Sequence, residues 1–346
     1  MLNLLKLLFH NLKFAEKPKT ADSFKHNFLL FRYNYRSLSN IYGVNLGDYV
    51  QTIATKYVIE QIYDDIRFSF WDRDDLSNYK GIPAFTIMQG WFSHSDDFLP
   101  NKNILPVFIG THITNPKREI FAKKINRKYK YLQKLTFGCR DISTAEFMKE
   151  LGLNAYFSRC LTLALPRREQ KNTQKKVYIV DIPENLLSAI PSDLRKNATY
   201  ITQRQVDCNL KTSDYINTEE KYIKKASALL QEYSDNASLI ITSALHCASP
   251  CVAMGIPTVL INLTDKNYRF GSLAGILRIY TKADLLNGKI DYNPKPLDIE
   301  ELKHLMIKNA ELSIRQALGE EIDLQELNLI RSNIENYQVF PENKNV

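Results

Sequence analysis

The chain has 346 residues, 44% hydrophobic and 24% charged, an ordinary soluble globular composition too long for one comfortable core, so two domains are expected. A net charge of +8 points to anionic partners, and scattered basic residues without a zinc or other nucleic-acid motif favour phosphates or lipid head groups over nucleic acid. Five cysteines lacking a zinc-ligand spacing fit a reducing compartment, and no apolar run reaches the length of a membrane span.

Residues 1–19 interleave Leu2, Leu5, Leu8, Phe9 and Leu12 with Lys6, His10, Lys13 and Lys17. That is a basic amphipathic helix, suited to lie on an anionic membrane or to pack on the body of the protein. Asn27 to Tyr33 is the first predicted strand. Tyr42 to Asp48 follows as a glycine-bearing loop, and Tyr49 to Ile62 has helical spacing. Strand, glycine loop and helix bring backbone close to a ligand, so Asn45, Gly47 and Asp48 are candidates to line a site. Without G-x-G-x-x-G or G-K-[ST] the loop specifies no nucleotide, and Asp48 serves equally well as a helix cap. Further strands are expected over 66–71, 84–88 and 106–109. The second of these runs into Gln89-Gly90-Trp91, where Trp91 offers an aromatic face to a sugar or fills a core. His94 and His112, also after strands, read as solvated loop ends. Lys117 to Leu135 reads as a strongly basic helix. Cys139-Arg140-Asp141 then leads into Ser143-Thr144 and a helix over Ala145–Leu151, and Tyr156 to Leu163 is the last strand of this half. Alternating strands and helices predict a doubly wound parallel sheet.

The polar run over 166–176, PRREQKNTQKK, reads as a linker. A second series follows: strands at Val177–Asp181 and Ala198–Thr202, a long helix over Glu219–Tyr233, and the stretch Ser238 to Asn262. In that stretch two apolar runs, 239–241 and 256–261, flank a helix rich in small residues. Thr242-Ser243 can cap it and Gly255-Ile256-Pro257 ends it, which puts His246 in its first turn, near the carboxyl end of the preceding strand. Open α/β sheets bind ligands at that edge, where backbone N–H groups favour an anion. An imidazole there is a candidate acid/base, or simply a buried side chain satisfying a neighbour. Cys247 and Cys251 share the helix face as small apolar residues. Asp298 to Leu318 is a helical tail, capped by Asp298, expected to cross back onto the first lobe. The expected division is an amphipathic segment at 1–24, Rossmann-like lobes at 25–166 and 167–295, and a helical tail at 296–346.

Five pieces coincide in order: Asn45-Leu46-Gly47-Asp48; Gln89-Gly90-Trp91-Phe92; Gly138-Cys139-Arg140-Asp141 with Ser143-Thr144; Phe157-Ser158-Arg159-Cys160-Leu161-Thr162-Leu163; and Thr242-Ser243-Ala244-Leu245-His246. Together, from about Phe31 to Leu285, they resemble the polysaccharide pyruvyl transferase family. The resemblance implies two Rossmann-like lobes of parallel sheet in a glycosyltransferase B-like α/β architecture. It also implies transfer of an enolpyruvyl unit from phosphoenolpyruvate to two sugar hydroxyls, as a cyclic ketal. By it, His246 is the general acid/base and Arg140 holds phosphoenolpyruvate, with Asn45, Gly47, Asp48, Ser243, Gln89 and Trp91 lining the cleft. Such chemistry suits histidine as the proton carrier and arginine as the anion holder, and it demands no metal or cofactor beyond the donor substrate. One departure stands out: the family usually reads serine-arginine-leucine-histidine where this chain has Ala244. Arg159 and Arg269 are the candidate substitutes for that guanidinium. The implied acceptor is a hexose in a lipid-linked glycan, met in the cytoplasm at the inner face of the membrane, with residues 1–19 and the basic helix toward the lipid. Two other readings stay open: a sugar-nucleotide glycosyltransferase of the same fold, suggested by Ala253 to Val259, and a non-catalytic glycan-binding relative, suggested by Ala244.

Overall fold

The structure, a computed structural model, describes residues 24–33, 44–92, 94–169, 176–205, 215–264 and 267–340. The basic segment at 1–19, the loop before Val44 and residues 170–175 of the linker lie outside the described residues. The first half holds β1 (Asn27–Arg32), β2 (Val44–Asn45), α1 (Leu46–Glu60), β3 (Arg67–Asp72), β4 (Ala84–Ile87), β5 (Gly90–Phe92), β6 (Ile104–Ile113), α2 (Asn115–Arg127), β7 (Thr136–Cys139), α3 (Ile142–Glu150) and β8 (Asn154–Phe157). The second half holds β9 (Lys176–Val180), β10 (Ala198–Ile201), β11 (Arg204–Gln205), α4 (Tyr215–Asn236), β12 (Ala237–Thr242), α5 (Leu245–Ala253), β13 (Thr258–Asn262) and β14 (Ile279–Thr281). The tail is α6 (Glu300–Ala317) and α7 (Leu324–Asn336).

Strands buried on both faces read as near-continuous apolar runs, and here they pair in parallel. The first sheet runs β3-β1-β4-β6-β7-β8 with β5 beside β6, and the second β10-β9-β12-β13-β14. In the second sheet the strand order reverses between β9 and β12, and the crevice outside their carboxyl ends is the expected ligand position of an open α/β sheet. Antiparallel β2 and β11 pair Asn45 with Arg204 and tie one half to the other. A single apolar core continues through both halves: Tyr49 on α1 meets Tyr222 on α4 with ring centroids 5.6 Å apart. A smaller core fills the other face of the second sheet around Ile241 and Ile261. The result is a two-lobed, Rossmann-like α/β fold, consistent with a glycosyltransferase B-like architecture, whose halves meet through β2, β11 and the shared core.

Three predicted elements differ from the observed ones. The basic helix expected over Lys117–Leu135 stops at Arg127, and a 3-10 turn follows at Lys130–Lys134. Burying Tyr129 and Leu132 requires the chain to turn inward there. The last strand of the first half ends at Phe157 instead of Leu163, because Arg159 adopts a left-handed φ of 62° that no strand accommodates. Helix α3 is capped by Asp141, whose carboxylate accepts the Thr144 N–H at 2.9 Å, and not by Ser143-Thr144.

The tail crosses back as expected. Tyr156 donates to Asn309 of α6, and Arg331 of α7 lies over the Tyr156 ring. Arg159 secures this return. Its buried guanidinium donates to the carbonyls of Ile334 (3.0 Å), Ser272 (3.2 Å), Ala274 (2.8 Å) and Tyr337 (2.7 Å). Replacing Arg159 by Leu strands four buried carbonyls, so unfolding in urea is expected to show a loss of about 3 kcal/mol or more. Unchanged stability would mean that water takes over those carbonyls.

Candidate active site

The placement of His246 begins with Pro250. A proline four residues along a helix has no N–H for the carbonyl at its start. The His246 carbonyl, so deprived, accepts instead from Gln203 Nε2 at 3.2 Å, and His246 itself leaves helical geometry (φ −84°, ψ 16°). The expected Thr242-Ser243 cap is replaced by a turn: Thr242 Oγ1 accepts the Ala244 N–H at 3.0 Å, while Ser243 Oγ donates to the Asp181 carbonyl. From the other lobe, α1 abuts this turn. A Cβ on Gly47 would lie 3.0 Å from His246 Cβ and 3.3 Å from Gln203 Oε1, so close approach demands glycine there. The imidazole Nε2 stands 3.9 Å from the Cys160 thiol of the first lobe.

Burial first, and then the charges of Arg140, Arg269, Arg204 and Arg73, hold the His246 pKa well below the ordinary imidazole value. The four guanidiniums converge from different elements. Arg140 follows β7; it is buried, its Cζ lies 5.4 Å from the Trp91 ring centroid, and its Nη2 has no hydrogen-bond partner among the described residues. Arg269, in the 3-10 segment after β13, is pulled down by burial and then by Arg204 and Arg140. Arg204 comes from β11. Arg73 differs: against the cost of burial, Asp74 and Asp48 hold its pKa up, and it lies 4.9 Å from the Tyr33 ring centroid. Among the described residues, Arg140, Arg204 and Arg269 form no salt bridge, and Asp48 near Arg269 and Asp141 beside Arg140 offset part of their charge. Three guanidiniums gathered in this way favour an anion.

The other candidates divide. Asn45 caps α1 by accepting the Gly47 N–H at 3.1 Å, and Asp48 accepts from Gln51 at 3.1 Å while facing Arg73 and Arg269. Ser243 lines a cavity of about 730 Å³ with Ala244, Arg204 and Arg269. Trp91 stands between Arg140 and His112. Gln89 is buried and engaged at both ends, donating to the Gln51 carbonyl and accepting the Leu161 N–H, so it braces the cleft wall. Arg159 is not brought to the imidazole; its guanidinium is committed to the tail, and of the two candidate substitutes only Arg269 stands near His246. His112 is no solvated loop end: it is buried, donates Nδ1–H to Asp141 and stacks on Trp91 with centroids 4.3 Å apart. Arg204, Arg73 and Gln203 were not legible as site residues. For Arg204 a signal existed, since it lies just past a predicted strand, at the same carboxyl edge that marks His246. Among the described residues, no group of three His, Cys, Asp or Glu side chains is placed to hold a metal ion.

A two-lobed α/β protein with a cationic interlobe cleft around one histidine is thus defined by the fold. Residues 45–265 match the profile of the family described as polysaccharide pyruvyl transferase, and the chain belongs to that family. No curated protein matches it. Among solved structures it is similar to a functionally uncharacterized protein from Klebsiella pneumoniae subsp. pneumoniae, with 13% identity and a TM-score of 0.41, over 78% of this chain and 92% of the other.

Because the His246 pKa is lowered, the unfolded chain takes up the proton first as pH falls below about 6.5. The contribution of His246 to stability is therefore complete above that value and lost as pH falls toward the folded pKa. Proton NMR of the imidazole should give a midpoint below about 6.5, and Arg269→Gln should move it upward by removing one repelling charge. A midpoint at the ordinary value, unmoved in the variant, would contradict this electrostatic account.

Proposed function

We propose that this protein transfers the enolpyruvyl unit of phosphoenolpyruvate to two hydroxyls of a sugar, forming a pyruvate ketal on a surface polysaccharide or its lipid-linked precursor. One observation carries the reading: Arg140, Arg204 and Arg269, without a salt bridge among the described residues, all act on the His246 imidazole in a chain of this family. Phosphoenolpyruvate offers a phosphate and a carboxylate to such a set, and arginine's planar fork suits both. Arg140, with its unpartnered Nη2, and Arg269 hold the anionic ends, and Arg204 supplies the charge that the family arginine would bring at Ala244.

The same charges time the acid. With the cleft empty, His246 is neutral at pH 7. A bound trianion offsets the guanidiniums and raises the imidazole pKa, so donor binding loads the proton that C3 of the enol receives. C2 then becomes an oxocarbenium-like centre and bonds the first sugar oxygen, whose proton returns to His246. The C–O bond to phosphate breaks, and the second hydroxyl closes the ketal as its proton leaves with phosphate. Guanidiniums fixed before reaction stabilise the departing charge without reorganising.

The acceptor in this reading is lipid-linked and met at the inner face of the membrane. Its support is the net charge of +8 and the basic sequence of 117–134. No helix among the described residues is long and apolar enough to cross a membrane.

The test is incubation with phosphoenolpyruvate and candidate lipid-linked saccharides, reading phosphate release and acceptor mass together. The expected outcome is coupled release and gain of one carboxyethylidene unit. His246→Gln should lower kcat by about 10²–10⁴-fold, and Arg269→Ala or Arg204→Ala should raise the KM for phosphoenolpyruvate. Consumption of a sugar nucleotide with phosphoenolpyruvate untouched would overturn the proposal.

A further inference from the structure

The cavity of about 730 Å³ beside His246 is larger than a three-carbon phosphate fills and falls within the range of about 300–1,000 Å³ typical of small-molecule sites. It opens over the carboxyl ends of β9, β10, β12 and β13, at the point where the strand order of the second sheet reverses. Its floor is built, not incidental. Asp181 adopts a left-handed φ of 53°, uncommon for a residue with a side chain. Its carboxylate accepts from Thr202 Oγ1 at 2.7 Å and from the Gln203 N–H at 3.2 Å, and its carbonyl accepts from Ser243. Three strand ends are thereby locked together, and Gln203 carries the lock on to the His246 carbonyl.

The walls say what fits. Tyr200 lines the cavity and is 50% exposed, and its hydroxyl donates to the Arg195 carbonyl at 3.3 Å. An exposed aromatic face in a polar cavity suits the C–H face of a pyranose. Exposed Glu184 supplies an acceptor for ring hydroxyls. Arg204, Arg269 and Ala244 also line it, and Ala244, a single methyl, lies two residues before His246 on the same turn.

We infer that this cavity is the acceptor site: a saccharide unit lies on the face of Tyr200, and its reacting hydroxyls pass Ala244 to reach His246. The inference rests on the pyruvyl-transfer reading for the identity of the donor, and on the cavity alone for the saccharide. Residue 244 then borders the acceptor's approach to the imidazole.

The test uses the full-length protein and two independent binding measurements. Saturation-transfer NMR reads the methyl glycosides of glucose, galactose, mannose and N-acetylglucosamine, and calorimetry reads phosphoenolpyruvate. At least one glycoside is expected to bind the wild type, to bind about tenfold more weakly to Tyr200→Ala, and to bind normally to Tyr200→Phe, which keeps the ring. Glu184→Gln should weaken it less, and Ala244→Trp, whose ring is bulkier than the family arginine, should abolish it. Phosphoenolpyruvate affinity should stay within about twofold in Tyr200→Ala, since a neutral ring gives a trianion no charge to bind. Glycoside binding that is indifferent to Tyr200 and residue 244, or absent from the wild type across the four glycosides, overturns the inference. Loss of phosphoenolpyruvate binding in the wild type, with Tyr200-dependent glycoside binding intact, instead removes the donor reading and leaves the saccharide site standing.

Discussion

The arrangement of the cleft depends on the buried side chain and backbone of Gln203. Its N–H donates to Asp181, its carbonyl accepts the Leu46 N–H at 2.9 Å, and its Nε2 donates to the His246 carbonyl that Pro250 leaves without a helical donor. One residue thus joins the floor of the second sheet, the start of α1 in the first lobe and the turn that carries the imidazole. Each bond contributes only about 0.5–1.5 kcal/mol net. Their weight is geometric: buried donors and acceptors have no water to fall back on, so the three elements keep one mutual position or all three lose a partner. Gly47 completes the constraint, since the 3.0 Å that a Cβ would leave to His246 makes the helix start and the imidazole turn a single packed contact.

On that frame the protein assembles like charges that repel. Arg269 is pulled down by Arg204 and Arg140, and His246 by all four arginines, so the empty cleft is electrostatically unfavourable. Arg73 shows the contrast, since Asp74 and Asp48 satisfy it and leave it a source of field more than a binding group. Arg140, Arg204 and Arg269, without a salt bridge among the described residues, are held together at a cost in stability that the continuous core offsets, a division common where a site must favour ligand over itself. In the proposed reaction the bound anion reverses the balance, removing repulsion among the guanidiniums and letting the imidazole charge in the same event. Affinity and proton delivery are then two consequences of one field.

Much of this was legible along the chain, and the exceptions share a cause. Apolar runs located the buried parallel strands, and a helix of small residues between two such runs located His246, because both patterns are local. Arg140 was legible from its place after a strand within an ordered set of short motifs. The long basic helix failed because nothing in its charge pattern marks the inward turn that burying Tyr129 and Leu132 imposes. Arg159 looks like an anion holder by residue type, yet the tail returns more than a hundred residues later to claim every side of its guanidinium. Arg204 belongs to β11, and Gln203 immediately precedes that two-residue strand, whose partner lies in the other lobe. No periodicity forms in so short a strand, and its role exists only once the lobes meet.

Ala244 ties these threads together. An arginine at that position would stand on the same turn as the imidazole and reach into the cavity that Ala244 lines. Here the positive charge reaches His246 from β11 and from the 3-10 segment after β13, approaching from the sides and leaving the turn itself bare. The field at the imidazole depends on distance and burial, not on which element carries the guanidinium, so moving the charge preserves the proton chemistry while changing the shape of the approach. A chain can therefore lack the usual arginine and still meet the electrostatic demand of its family, provided that the cross-lobe strand carrying Arg204 is held in register by Asn45 and Gln203.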